Sequence, residues 1–327
     1  MSQENKTTYI ATRGSALALV QANLVLRQCR DAFPQRSFEL KIIKTTGDKL
    51  QTASMAQEGK VLPKGLFTKE LEIALLNGDA DLAVHSLKDL PTELPTGLAL
   101  GAVGKREDVR DVLLYRQNDK AEALRGFLPG LQVQQLPPGA VVATSSTRRR
   151  AQLLLLNSGL KLPDIRGNVA TRMQKLARRP DMDATVLALA GMTRLGFQIR
   201  PDGRILGNEV PAGLLGVVLG LDAMLPCVGQ GAIGIEVREG DSWAADICRT
   251  LDHPETRHCV IAERAFLAAM GGGCQSPVAA HALILDGKLA MKAISFASGP
   301  VRRGEISGPI TEAVELGRRM AKQLLAS

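Results

Sequence analysis

Aromatic side chains are scarce in this sequence of 327 residues: Phe, Tyr and Trp together make up 3%, with a single Trp. Its cores must therefore be built from Leu, Val, Ile and Ala. A platform of aromatics of the kind that stacks single-stranded nucleic acid is missing, and so is any helix-turn-helix, zinc-finger or RNP-type pattern. Cysteine is thin as well. Cys29, Cys227, Cys248, Cys259 and Cys274 are odd in number and no two stand at C-x-x-C spacing, which argues against a disulfide framework and against a zinc ribbon. His253, His258 and Cys259 crowd together, but a structural zinc site needs a second spaced pair, so no metal is expected. The N-terminal MSQENKTTYI shows no basic stretch leading into an apolar one, the mark of a secretion signal. The longest apolar run, near Leu214 to Leu221, is too short and too rich in glycine to span a bilayer. A cytoplasmic protein without a membrane partner is the expectation.

What is present is ordinary in bulk and unusual in placement. Hydrophobic residues at 45% and charged residues at 23% suit a globular chain, and the length favours two or three domains. The formal charge of +8 favours an anionic partner. Short apolar runs alternate with longer helical patterns, which predicts α/β architecture with largely parallel sheets. Strands are expected at Tyr9 to Ala11, Phe38 to Thr45 and Leu82 to His85, with helices over Ser15 to Arg30 and Lys69 to Leu76. A second series has strands at Val141 to Ala143 and Thr185 to Leu189, and helices over Arg148 to Leu156 and Val169 to Ala177. The charged run KREDVRD, Lys105 to Asp111, lies between the two series as a crossing, and the glycine-rich Val228 to Gly234 looks like a second one. In the last portion, helices at Ser242 to Leu251 and Pro254 to Met270 precede a hairpin around Asp286-Gly287 and a final helix, Glu312 to Ala326.

One local pattern recurs. Apolar strands run into loops of hydroxyls, glycine and arginine, and then into a helix: ATRGS at Ala11 to Ser15, ATSSTRR at Ala143 to Arg149, DIRGN at Asp164 to Asn168. In open α/β sheets ligands bind beyond the carboxyl ends of the strands, where helix N-termini offer free N–H groups. Arginine adds a planar fork matched to carboxylates. Each loop alone is weak: Ser15 could be only a cap and the Arg148 to Arg150 triplet only an exposed face; several such loops in one cleft would imply a ligand with many carboxylates or phosphates. The arginines sit at strand ends and not along one continuous stripe, which favours a compact polyacid over nucleic acid. Lys88 and Asp89 follow the buried strand of AVHSLKD, either as a surface ion pair or as a carboxylate poised to stabilise a cation or shuttle a proton. In GGGCQSP, Gly271 to Pro277, the glycines exceed what a helix cap needs. Cys274 is thereby either a small buried hydrophobe or a nucleophile or covalent anchor on a loop.

The ordered series ATRGS, KGLFTKELE, AVHSLKD, TSSTRRR, RGNVATR, VGQGA, AERAF and GGGCQSP, spanning about Thr8 to Pro277, resembles the motif series of the porphobilinogen deaminases (hydroxymethylbilane synthases). That resemblance implies two lobes like those of periplasmic binding proteins, with mixed, mainly parallel sheets, and a smaller C-terminal α/β domain. The corresponding division is 1–105 with 222–238, then 106–221, then 239–327. It also implies a dipyrromethane cofactor on a thioether at Cys274, to which four porphobilinogen units are added in turn before a linear tetrapyrrole is released by hydrolysis. Asp89 matches the catalytic aspartate, set to stabilise the cation left when ammonia departs. Lys88, Thr144, Ser146, Arg148, Arg149 and Asn168 match positions that hold the cofactor. Arg13, Ser15, Arg149, Arg166, Arg172 and Arg194 match positions that bind the substrate acetates and propionates. A monomer is implied, with porphobilinogen as the small-molecule partner.

Two departures stand out. Leu62-Pro63 precede Lys64 where the family commonly has a glycine pair, stiffening that loop, and Arg150 extends the usual arginine pair. A two-lobed anion-binding protein without catalysis is the alternative from another class, and a nucleic-acid module, motivated by charge alone, is the third.

Overall fold

The structure, a computed structural model, describes residues 6–47, 67–118, 124–273, 276–297 and 299–326. Strand β1 (Thr8–Arg13) runs straight into helix α1 (Ala16–Ala32). Ser15 makes the turn possible: its Oγ accepts the Ala18 N–H at 3.4 Å, satisfying a donor that the first helical turn leaves open. Then come β2 (Phe38–Ile43), α2 (Lys69–Leu76), β3 (Leu82–Ser86) and β4 (Leu98–Val103). β1 lies parallel to both β2 and β3. The sheet has five strands and is completed from far along the chain, because β11 (Ile233–Arg238) inserts antiparallel between β3 and β4. Ile10, Val84 and Ile235 face α1, while Ala11, Ala83 and Leu98 face α2. Apolar side chains on both faces are what a sheet covered by helices on two sides requires.

The second sheet has four strands, in the order β10-β5-β7-β6. β5 (Asp111–Arg116) sits between β7 (Ala184–Ala188) and β10 (Leu214–Val218), antiparallel to each, and β6 (Val142–Ala143) adds a parallel edge. Leu113 and Tyr115 point to the face covered by α3 (Thr147–Leu156). Val112 and Leu114 point to the face covered by α4 (Val169–Arg178) and α5 (Leu189–Arg194). A small ribbon of β8 (Gln198–Ile199) and β9 (Ile205–Leu206) lies beside it.

After β11, helix α6 (Ser242–Leu251) and helix α7 (Pro254–Ala269) lead to a three-stranded antiparallel sheet of β12 (Val278–Leu285), β13 (Lys288–Ser295) and β14 (Arg302–Pro309), closed by α8 (Ala313–Ala326). The hairpin turns at Asp286 and Gly287, both at positive φ (48° and 70°), the pair of left-handed residues that matches strand twist. Gly317 lets α8 lie against α7, since a Cβ there would stand 2.2 Å from the Ala262 carbonyl oxygen. No helix among the described residues is long and apolar enough to cross a membrane.

Two sequence expectations are corrected. The sheets are mixed, but antiparallel pairing is more extensive than "mainly parallel" implies, because β4, β5, β10 and β11 all pair antiparallel. The charged run at Lys105 to Asp111 leads from β4 to β5, and only its last residue, Asp111, enters a strand, every residue of which is buried. Helix α6, grouped by sequence with the last portion, packs Ala244, Ile247 and Cys248 into the core of the first sheet. β14 carries no apolar alternation to announce it. Its helix-facing positions are Gly304, Ile306 and Gly308, and at the two glycines a Cβ would stand 2.8 Å from Met320 and from Leu316.

Candidate active site

The site begins where β1 and β3 end side by side. Arg13 closes β1, Ser15 caps α1, and β3 passes into a short turn at Leu87–Asp89. Arg13, Ser15, Gln21, Phe67, His85 and Asp89 line one cleft. The Arg13 guanidinium stands 4.2 Å over the Phe67 ring, a cation–π placement that holds the charge at the cleft wall. Asp89 is exposed and Lys88 half-buried. Behind the cleft, His85 Nε2 lies 2.9 Å from Glu236 Oε2, both side chains buried. Burial pushes the nearby Glu72 carboxyl up, and the Glu236 carboxylate adds to this, against a Thr68 hydrogen bond and His85. Sequence patterns gave no sign of this acid-rich floor, since Glu72, His85 and Glu236 stand on different elements.

The second group of site residues comes from the other sheet. Ser146 caps α3 by accepting the Arg149 N–H at 3.3 Å, and Asn168 caps α4 by accepting the Thr171 N–H at 2.8 Å. Thr144 Oγ1 accepts the Ser146 N–H at 3.2 Å. The hydroxyls and amide that sequence picked out as ligand neighbours are therefore first of all the groups that start these helices. Arg172 is half-buried, its Nε donating to the Gly167 carbonyl at 2.8 Å. Burial, aided by the charge of Arg149 and opposed by Asp89, pushes its guanidinium down to about 10. Arg172 thus feels Arg149 and Asp89 with opposite sign, and an anionic ligand would add favourable charge beside it. Arg166 is half-buried at the start of the same loop. Arg194, on α5, donates through Nη2 to the Gly231 carbonyl at 2.6 Å, tying the second sheet to the segment returning to the first. Burial lowers it too, against Glu107. α5 also meets α1, for a Cβ on Gly191 would lie 3.6 Å from Leu17.

Arg148 and Arg149 are buried, unlike the open carboxylate forks that their loop predicts. Arg148 Nη2 donates to Asp111 Oδ2 at 2.8 Å and Arg149 Nη2 to Asp111 Oδ1 at 2.7 Å. Burial alone would raise the Asp111 carboxyl; the two adjacent cations and their hydrogen bonds more than offset it and hold it below the usual carboxylate range. Among the described residues the Nε atoms of both arginines have no hydrogen-bond partner, and a buried donor left unsatisfied is costly unless a ligand accepts it. Arg150 turns away, donating to Asp164 Oδ1 at 3.0 Å and to the Leu162 carbonyl, so it fastens the loop before Arg166. Sequence reasoning missed Asp111, whose only signal is an acid directly preceding the apolar run Val112 to Leu114.

Cys274 lies outside the described residues, as do Leu62, Pro63 and Lys64. Cys274 falls in the sequence between α7 and β12, and Gly271 leaves the helix at φ 68°. α7 is anchored by its Glu263, which pairs bidentately with Arg106 at 2.6 and 3.0 Å and accepts the Gly229 and Ala282 N–H groups. His253, weighed above for metal, caps α7 by accepting the Thr256 N–H at Nδ1. Among the described residues no group of three His, Cys, Asp or Glu could hold a metal ion.

Comparison with known proteins places this geometry. A family model described as "Porphobilinogen deaminase, dipyromethane cofactor binding domain" matches residues 8–246, and one described as "Porphobilinogen deaminase, C-terminal domain" matches residues 257–326. A porphobilinogen deaminase of Desulforudis audaxviator is 44% identical over 318 residues, 97% of this chain and 93% of that protein. Those of Moorella thermoacetica and Thermus thermophilus are 42% and 41% identical, covering 97% and 98% of this chain and 92% and 96% of theirs.

Proposed function

This chain belongs to the porphobilinogen deaminase family, and on that premise we propose how its own residues divide the work. The residues present fit a polyacidic cofactor. The orphaned Nε atoms of Arg148 and Arg149 and the half-buried Arg172 are donors awaiting carboxylates. When bound, the dipyrromethane supplies the pyrrole to which porphobilinogen units are joined. Lys88, Thr144, Ser146, Arg148, Arg149 and Asn168 hold its carboxylates, and the Cys274 thiolate is its thioether anchor. Arg13, Ser15, Arg149, Arg166, Arg172 and Arg194 bind the acetate and propionate of each arriving porphobilinogen. With both ends of that diacid fixed, its aminomethyl carbon is brought to one place.

Asp89 is the catalytic residue in this reading. Breaking the aminomethyl C–N bond releases ammonia and leaves positive charge delocalised over the pyrrole. A carboxylate beside the pyrrole N–H stabilises that charge and can take or return a proton. The single observation that carries the reading is the exposed Asp89 in a cleft walled by Arg13 and felt by Arg172. The chain is read as three domains, as sequence divides it, except that α6 goes with the first; the separate apolar clusters around the three sheets support this. A cytoplasmic monomer without a nucleic-acid partner completes the proposal. The paucity of aromatics supports the last point, and light scattering near 34.9 kDa checks the monomer.

Intact mass followed by peptide mapping around Cys274 tests the assignment. The expected result is a dipyrromethane increment on that peptide. An unmodified Cys274 that stays so after incubation with porphobilinogen would overturn the anchor.

A further inference from the structure

The segments 104–110 and 219–232 carry the chain out of the first sheet and back into it. Both meet at the buried arginine pair. Asp111 Oδ1 accepts a third hydrogen bond, from Gln230 Nε2 at 3.0 Å, and the same Nε2 donates to the Val109 carbonyl at 2.6 Å. Gln230 stands on the returning segment and Val109 on the outgoing one. Arg148 Nη1 donates to the Leu225 carbonyl at 2.6 Å, and Gln152 exchanges two further bonds with Leu225, at 2.8 and 3.0 Å. One buried carboxylate thus joins the two crossings, helix α3 and both guanidinium groups.

A core built for stability alone has little reason to look like this. Two buried cations share one anion, and apolar residues of similar volume commonly serve stability as well or better. Unsatisfied Nε donors add a further cost. What the arrangement does provide is a fixed pose for two donors that would otherwise carry many rotamers, together with an excess of buried positive charge.

We propose that Asp111, seated by Gln230, is a positioning residue that sets the pose of Arg148 and Arg149 and makes their anion site depend on the register of the two crossings. The proposal rests on the reading above that these arginines hold cofactor carboxylates. It adds that the site is assembled by residues outside the ligand's reach.

The test is cofactor loading by apoprotein incubated with porphobilinogen, followed by intact mass, at several porphobilinogen concentrations. Asp111→Asn keeps the shape and removes the charge. Loading should slow about a hundredfold, the effect of misplacing a positioned group by about an ångström, and the half-saturating concentration should rise while near-UV circular dichroism stays native. Gln230→Met leaves both ion pairs in place and frees the crossings. It should slow loading about tenfold, as expected for losing one hydrogen bond to a charged group, and it decides the matter if Asp111→Asn does not fold. Wild-type rate and half-saturation in the folded variants overturn the proposal. A smaller loadable fraction with unchanged rate and half-saturation also overturns it, because that is the mark of a purely structural role. Wild-type protein that acquires no adduct would instead refute the cofactor reading itself.

Discussion

Arg148, Arg149 and Arg150 are three identical letters with different fates. The first two lie on the inward side of α3 and close on Asp111, while the third reaches back to Asp164 at the surface. A guanidinium left exposed is worth little energetically; a buried one with an N–H unspent is a binding group in waiting. Asp89 differs from all of them in being exposed. Asp89→Ala should therefore keep the fold and its thermal midpoint yet lose at least about a hundredfold in turnover, measured as initial rate of product formation beside far-UV circular dichroism. Near-normal turnover would remove Asp89 from the chemistry. Asp111 makes a second, pH-dependent prediction. Its carboxyl is held lower in the folded than in the unfolded chain, so the unfolded chain binds more protons in acid. The stability it contributes is present above about pH 4 and is lost as pH falls further. Urea midpoints taken from about pH 5 to about pH 3 should fall more steeply for the wild type than for Asp111→Asn; parallel slopes would contradict the cause assigned.

Elements were legible where their own residues carried the period. α2 is found at Lys69–Leu76 as the pattern indicates, and α1 starts at its Ser15 cap. The Asp286-Gly287 hairpin forms as that dipeptide predicts. β14 gave little signal because two of its inward positions, flanking Ile306, are glycines: the apolar signal there belongs to Met320 and Leu316, which fill the space above them. The same logic governs the α7–α8 contact at Gly317. Gly317→Ala places a methyl against the Ala262 carbonyl, and overpacking of this kind should cost about 1–3 kcal/mol. Urea denaturation monitored at the third sheet measures it, and an unchanged midpoint would show that the helices separate freely.

Across the whole molecule the three sheets are held by a few buried polar hubs. Glu263 is the chief one, binding Arg106 of the outgoing crossing, the Gly229 N–H of the returning one and the Ala282 N–H of β12. Glu263→Gln leaves Arg106 buried against a neutral partner and should destabilise by about 3–5 kcal/mol, as breaking one side of a buried pair does. Because Cys274 follows α7 in the sequence, cofactor loading should slow along with it. A variant as stable as the wild type in urea would mean that the third sheet docks by apolar contact alone.

The family, the α/β class and the strand-end loops lay open in the sequence, because each depends on short stretches whose neighbours in space are neighbours in the chain. The helix cap at Ser15 belongs to that class. What only the tertiary structure decided are pairings made across long chain separations. β11 returns to lie between β3 and β4, α6 joins the first core, His85 meets Glu236, and Asp111 meets Gln230. A charged residue in a sequence looks solvated until its partner is known. Asp111, Arg148 and Arg149 are affordable inside the protein only because folding brings them together, and no local pattern records that meeting.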